Sequence, residues 1–239
     1  MAAPRAPVFD SVLERMYQRE GVETLPTHLE EAYGIAIAKV SRLDVGVFRF
    51  DRSDKGTPLV ARLFSKGRPY AAAEADLAVL RYLAEVEFPS ERAFGDDALT
   101  SHEGQAVLMT EFVKEVAKAK RPPYPIATLG ARVGQLHGLT VPTGADRPAG
   151  ALHHFAAGTM ADELRAVAGW MDAIEARVPS GSGDAIDAIR VAVADADGGD
   201  DLPEAFVHPD PVPKNVIFTA DGLVLVDWTS AGRGLGWRR

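Results

Sequence analysis

Three prolines at alternate positions, Pro209, Pro211 and Pro213, bar a helix from the stretch that carries His208, Asp210 and Asn215. Proline fixes φ and removes an amide donor, so this segment is a stiff loop. An apolar run follows at residues 216–218, then Ala220-Asp221-Gly222, then a second apolar run at residues 223–226. Asp-Gly between two such runs is a strong hairpin signal. The hairpin turns the chain back and returns Asp227, twelve residues after Asn215, to the side of Asn215. Any fold of this chain has to present that rigid loop and the end of that hairpin together.

Stiffness matters because a misplacement of about 1 Å costs on the order of 100-fold in rate at a catalytic centre. An amide oxygen and a carboxylate are hard ligands of the kind magnesium takes, with phosphates and waters completing its shell. Phosphoryl transfer needs this set: one Asp to orient and deprotonate a hydroxyl, and an Asn and a second Asp to hold the metal on the phosphates. The kinase catalytic loop separates its Asp and Asn by five positions, as Asp210 and Asn215 are separated here. Read singly, each residue is an ordinary member of a polar loop or hairpin. A hydrolase metal site on His208 and Asp210 leaves Asn215, the hairpin and Asp227 unexplained.

With Ala231-Gly232 after Asp227-Trp228, residues 207–234 resemble the aminoglycoside phosphotransferase and choline kinase family. The resemblance implies a protein-kinase-like fold. It implies ATP or GTP as co-substrate, Mg2+ as cofactor, and a hydroxyl on a small molecule as acceptor. It makes Asp210 the catalytic base, Asn215 and Asp227 metal ligands, and His208 a support for the loop. The chain departs from the family pattern at Pro209 and Pro211, where Gly and Leu are usual, and at Lys214, where Gly is frequent.

The first half of the chain is compatible with such a fold. Apolar spacing predicts a helix over residues 8–17. A second short helix is expected to be capped by Thr27, with Glu30 closing a capping box and Gly34 ending it. Strands are predicted over residues 35–40, 45–50 and 59–64, with breaks at residues 42–44 and 52–57, then a helix over residues 70–86 with Ala73, Leu77, Leu80 and Leu83 on one face. Two further strand-like runs lie at residues 92–94 and 106–109. By the resemblance, Arg62 on the third strand contacts the phosphates and pairs with Glu74 on the next helix. Residues 107–113 resemble the kinase hinge: Met109 sits behind the base, and the Thr110 carbonyl and Phe112 amide bond it. The turn matching the phosphate loop is Ser41-Arg42-Leu43-Asp44, poor in glycine but for Gly46 nearby.

After Thr110 the pattern is helical, at residues 126–136, 160–178 and 186–193, up to the late hairpin. Strands followed by helices indicate an α+β protein. The expected organisation is a nucleotide-binding lobe over residues 1–109, a hinge over residues 110–114, and a catalytic and acceptor-binding lobe over residues 115–239. Only 12 residues follow Asp227, fewer than the family usually has, so the predicted second lobe is short. Its helical faces are then expected to belong to a longer chain or to be covered by self-association.

The 239-residue chain has no cysteine, so disulfides and thiolate chemistry are excluded. With no signal peptide or membrane-length apolar run, a cytoplasmic protein is expected and no membrane partner. A net charge of −8 without a dense Lys/Arg run argues against a nucleic-acid partner. Residues 184–204 hold seven acids against one base, Arg190. Such a face would attract a cationic acceptor, although a solvated surface is the plainer reading. His153-His154 lacks a third ligand for a metal site, and His137 reads as a boundary residue of its helix. The competing class is a kinase-like nucleotide- or ligand-binding module without catalysis, favoured by the thin phosphate turn and the short C-terminus.

Overall fold

The computed structural model describes residues 18–117, 125–144, 181–196 and 203–235, and the single positions 171, 175, 178 and 179. The helix expected over residues 8–17, most of that over residues 160–178, His153 and His154 lie outside the described residues.

Helix α1 (Leu25–Tyr33) starts at Thr24, with Pro26 in its first turn, and stops at Gly34. Pro26 suits that first turn because its missing amide is unused there. The helix therefore begins three residues before the expected cap, and Thr27 lies inside it. Glu30 does not close a capping box; its carboxylate accepts the Ile37 amide at 2.8 Å, tying α1 to the first strand.

Five strands form one antiparallel sheet in the order β1 (Ile37–Asp44), β2 (Val47–Arg52), β3 (Leu59–Leu63), β5 (Gln105–Glu111), β4 (Leu99–His102). On β3 the alternation is clean. Leu59, Ala61 and Leu63 are buried in a cluster with Leu25, Leu29, Phe48, Phe50 and Met109, so Val60 and Arg62 face the other way. Two expectations need correction. The chain does not turn at residues 42–44; β1 runs on to Asp44 and the reversal falls on Val45-Gly46. Gly46 supplies the positive φ (68°) this tight turn needs, and a Cβ there would come 2.5 Å from the Leu63 carbonyl, which lies against the turn. Residues 92–94 form no strand beyond a single bridge from Ala93 to Thr110. The fifth strand is β4, joined to β5 by Glu103-Gly104, both at positive φ (49° and 71°), as a two-residue hairpin turn of twisted strands demands.

Helix α2 (Tyr70–Glu85) buries the predicted stripe Ala73, Leu77, Leu80 and Leu83. Those side chains join a second cluster with Phe88, Leu136, Phe206, Phe218, Leu223, Leu225 and Trp228. Helices α3 (Pro125–His137) and α4 (Gly183–Ala194) follow. α3 turns Leu136 fully inward but leaves Ile126 83% exposed. Strands β6 (Glu204–Val207) and β9 (Gly232–Leu235) pair around the late hairpin, β7 (Val216–Thr219) and β8 (Gly222–Leu225). Buried Gln105 accepts the Glu20 amide and donates to the Glu20 carbonyl, fastening residues 18–21 to β5. Among the described residues, no helix is long and apolar enough to cross a membrane.

Candidate active site

The proline loop ends in one 3-10 turn, Pro213–Asn215, that buries Asn215. The Asn215 side-chain amide donates to the Asp210 carbonyl at 2.9 Å and to the Asp210 carboxylate at 3.1 Å. Both partners are acceptors, so Nδ2 faces Asp210 and Oδ1 points away from it. His208 braces the same loop. Its Nδ1 accepts the Asp210 amide at 3.1 Å, so its Nε2 carries the proton, given to the Val226 carbonyl at 3.0 Å. Trp228 packs edge-on to the imidazole, with ring centroids 4.7 Å apart. Lys214 is mostly exposed, with its ammonium 3.9 Å from the Asp210 carboxylate.

The β7–β8 ladder reaches one step past its turn-distal end, where the Val226 amide donates to the Asn215 carbonyl at 3.0 Å. Asp227 is the next residue, so the hairpin delivers it beside Asn215, as its spacing predicts. Its backbone is left-handed, with φ 67°. For a residue with a Cβ this costs on the order of 1 kcal/mol. Its amide donates to Glu91 Oε1 at 2.7 Å, and its carboxylate meets the Arg62 guanidinium at 3.1 Å.

Arg62 points from β3 into a narrow cleft that Asp76, Glu91, Thr110, Trp228 and Thr229 also line. Burial alone would lower its pKa. Asp227, Glu91, Asp76 and Asp44, in that order, outweigh burial and hold it above its ordinary value. Glu91 is pushed up, by burial first and the Asp227 charge in addition, with Arg62 and two hydrogen bonds opposing. The structure does not bring Glu74 to this centre: Glu74 is exposed on α2, and Asp227 is the ion-pair partner of Arg62.

The acidic residue that α2 turns inward is Asp76, on the apolar stripe. It forms a fully buried ion pair with Arg68 at 2.7 Å and accepts the Ser230 amide at 2.9 Å. Arg68 also donates to the Ser230 hydroxyl at 3.3 Å. This network fastens the turn after Asp227 to α2. A polar residue among Ala73, Leu77 and Leu80 is the signal that could have found Asp76. Glu91 stands in an irregular segment and has no such signal.

The hinge-like segment departs from its expected register. Met109 is fully buried among Leu25, Leu29 and Phe50, on the sheet face away from Arg62. Thr110 is on the cleft side, and its hydroxyl donates to Glu91 Oε2 at 3.1 Å. The Phe112 amide is already committed to the Pro58 carbonyl at 2.8 Å. Antiparallel pairs alternate, so the Val60–Thr110 pair exchanges hydrogen bonds as well, and the Thr110 carbonyl serves the sheet. The Phe112 amide is thus taken up by the sheet, while the Thr110 carbonyl keeps a second lone pair beyond its sheet bond.

Residues 41–236 match the model of a phosphotransferase enzyme family, APH. No curated protein matches the sequence. The amicoumacin kinase hAmiN, solved with AMP-PNP, Ca2+ and Ami, superposes with a TM-score of 0.59 at 14% identity, over 95% of this chain and 68% of that one. An aminoglycoside phosphotransferase from Streptomyces rimosus, solved with ADP and streptomycin, gives 0.58 at 16% identity, over 90% and 79%. A choline/ethanolamine kinase family protein from Mesorhizobium loti gives 0.56 at 21% identity, over 89% and 66%. The match over most of its length and the kinase-like architecture of these structures agree with the resemblance that residues 207–234 carry: this chain belongs to the phosphotransferase enzyme family and has its protein-kinase-like α+β fold.

Proposed function

We propose that the chain is a small-molecule kinase that moves the γ-phosphate of ATP or GTP onto a hydroxyl acceptor, with Mg2+ required. The observation that carries this reading is the shared anchoring of Asp210 and Asn215 in one rigid loop, together with the Val226–Asn215 backbone bond, one residue before the ion-pair partner of Arg62, Asp227. The donor set suits the metal, since Asn215 Oδ1 and the Asp227 carboxylate are hard oxygens and phosphates fill the remaining positions. When bound, Mg2+ supplies charge neutralisation across the phosphates.

The residues of the chain do the rest. Asp210, oriented by Asn215 and by the neutral His208, accepts the proton of the acceptor hydroxyl at its carboxylate. Arg62 offers a permanent charge and a fork of donors to phosphate oxygens. Thr110 borders the base side of the cleft next to Phe112. In this reading residues 1–109 form the nucleotide lobe, residues 110–114 the hinge, and residues 115–239 the catalytic and acceptor lobe.

The acids at residues 184–204 favour a cationic acceptor. Release of ADP or GDP, followed over a panel of neutral and cationic alcohols at low salt, tests both points. Acceptor-dependent release is expected, fastest for cationic alcohols. Equal rates for both groups would remove the acidic-face idea. Asp210→Ala should lower kcat by roughly 10² to 10⁴, the usual worth of a general base. Full turnover in that variant would sink the assignment.

A further inference from the structure

Glu91 has no part in the roles above, yet it bonds two parts of the site and lines the cleft that Arg62 enters. One carboxylate oxygen accepts the Asp227 amide at 2.7 Å, the other accepts the Thr110 hydroxyl at 3.1 Å, and its charge acts on Arg62. It is held in turn by backbone: the Glu91 amide donates to the Leu225 carbonyl at 3.2 Å, and the Leu225 amide to the Pro89 carbonyl at 3.1 Å. Residues 89–91 thus run as a short extra strand beside β8, with a bridge between Ser90 and Leu225. Both carboxylate oxygens are used, each by a donor from a different part of the cleft.

We propose that Glu91 is the positioning residue for Asp227: it holds the strained Asp227 backbone in its ligand-presenting conformation and couples it to the hinge through Thr110. The left-handed φ of Asp227 persists only if its surroundings over-determine it. A 2.7 Å charge-assisted bond from its own amide is the most direct restraint the structure offers. Glu91 lines the same cleft as Arg62, the ion-pair partner of Asp227. This role rests on the reading of Asp227 as a metal ligand.

The test is calorimetry of AMP-PNP binding with Mg2+ and in EDTA, the ratio of the two affinities measuring what the metal contributes. Groups that orient a metal ligand typically cost 10- to 100-fold in metal affinity when removed. Glu91→Ala should reduce the Mg2+ gain by about tenfold or more, with the affinity in EDTA changed much less. Glu91→Asp keeps the charge but is too short to reach both donors, and should lose most of the gain. Glu91→Gln keeps the length and an oxygen for the Asp227 amide, and should retain the gain within about threefold, so it decides the matter if Glu91→Ala fails to fold. A full gain in folded Glu91→Ala or Glu91→Asp, with Asp227→Asn losing it, overturns the role of Glu91 alone. A full gain in Asp227→Asn overturns the metal reading and this role with it.

Discussion

Arg68 and Asp76 show how much of the site depends on residues that never meet a ligand. Each side chain is 2% exposed, and both reach Ser230, three residues beyond Asp227. Removing one partner of a buried pair leaves the other charge uncompensated and costs about 3–5 kcal/mol, whereas replacing both by apolar residues is often neutral or stabilising. Arg68→Met should therefore lower unfolding stability by that amount, and Arg68→Met with Asp76→Leu should recover most of it in urea titrations. The double variant should still bind nucleotide poorly with Mg2+, because the Ser230 amide has lost its acceptor. At this scale, the sequence is informative where the constellation is local. Asp210, Asn215 and Asp227 sit on one loop and one hairpin, and the spacing alone brings them together. The partners of Arg62 come from a loop and a hairpin end 29 and 165 positions away, which no periodicity records. The resemblance that pointed to Glu74 led to the exposed face of α2.

The elements that could be read were those whose apolar pattern is continuous: β1, β2, β3, β5, the helices α1 to α4 and the β7–β8 hairpin, with the bounds displaced at α1, β1 and β2. β4 escaped because Leu99-Thr100-Ser101-His102 contains a single large apolar residue, and it is a strand because its turn and its pairing with β5 make it one. β6 and β9 have four residues each and are defined by each other. The turn at Val45-Gly46 lies two residues beyond the expected phosphate turn because the positive φ that Gly46 can adopt outweighed the polar character of residues 42–44. Another contact between elements lends itself to a pH experiment. The His28 ring on α1 lies 4.7 Å from that of His102 on β4, and His102 Nε2 is 2.8 Å from the Gly21 carbonyl. Burial, then the neighbouring His102, lower the pKa of His28 below its ordinary 6.5, with Glu31 opposing. The unfolded chain then takes up this proton first as the pH falls. The contribution of His28 is complete above the ordinary histidine range and is lost on acidification through it. The melting temperature of the wild type should fall more between pH 7.5 and 5.5 than that of His28→Gln, by differential scanning fluorimetry, and parallel declines would contradict this.

Across the whole molecule, the sheet, α2 and the late hairpin side all contribute to the cleft. Arg62, Val60, Leu108 and Thr110 come from the sheet, Asp76 and Leu80 from α2, and Trp228 and Thr229 from the hairpin side. A carboxylate-rich wall facing one strand arginine is unfavourable without a cation, and a metal-bound polyphosphate supplies both the cation and anions for the arginine. Ile126 on α3 and Ile189 and Val191 on α4 are singly exposed, and self-association is a prediction from the sequence. Sedimentation velocity should show a mass that rises with concentration above one chain of 25.6 kDa, and a monomer at every concentration would remove it. The central claim concerns chemistry in the cleft, and phosphorus NMR reads it most directly. With Mg2+, ATP or GTP and the acceptor panel, the wild type should convert the γ-phosphate resonance into a phosphomonoester on an acceptor. Asp210→Asn should bind the nucleotide and leave that resonance in place. No phosphomonoester with any acceptor, despite Mg2+-dependent nucleotide binding, would contradict the account and make the chain a nucleotide-binding module.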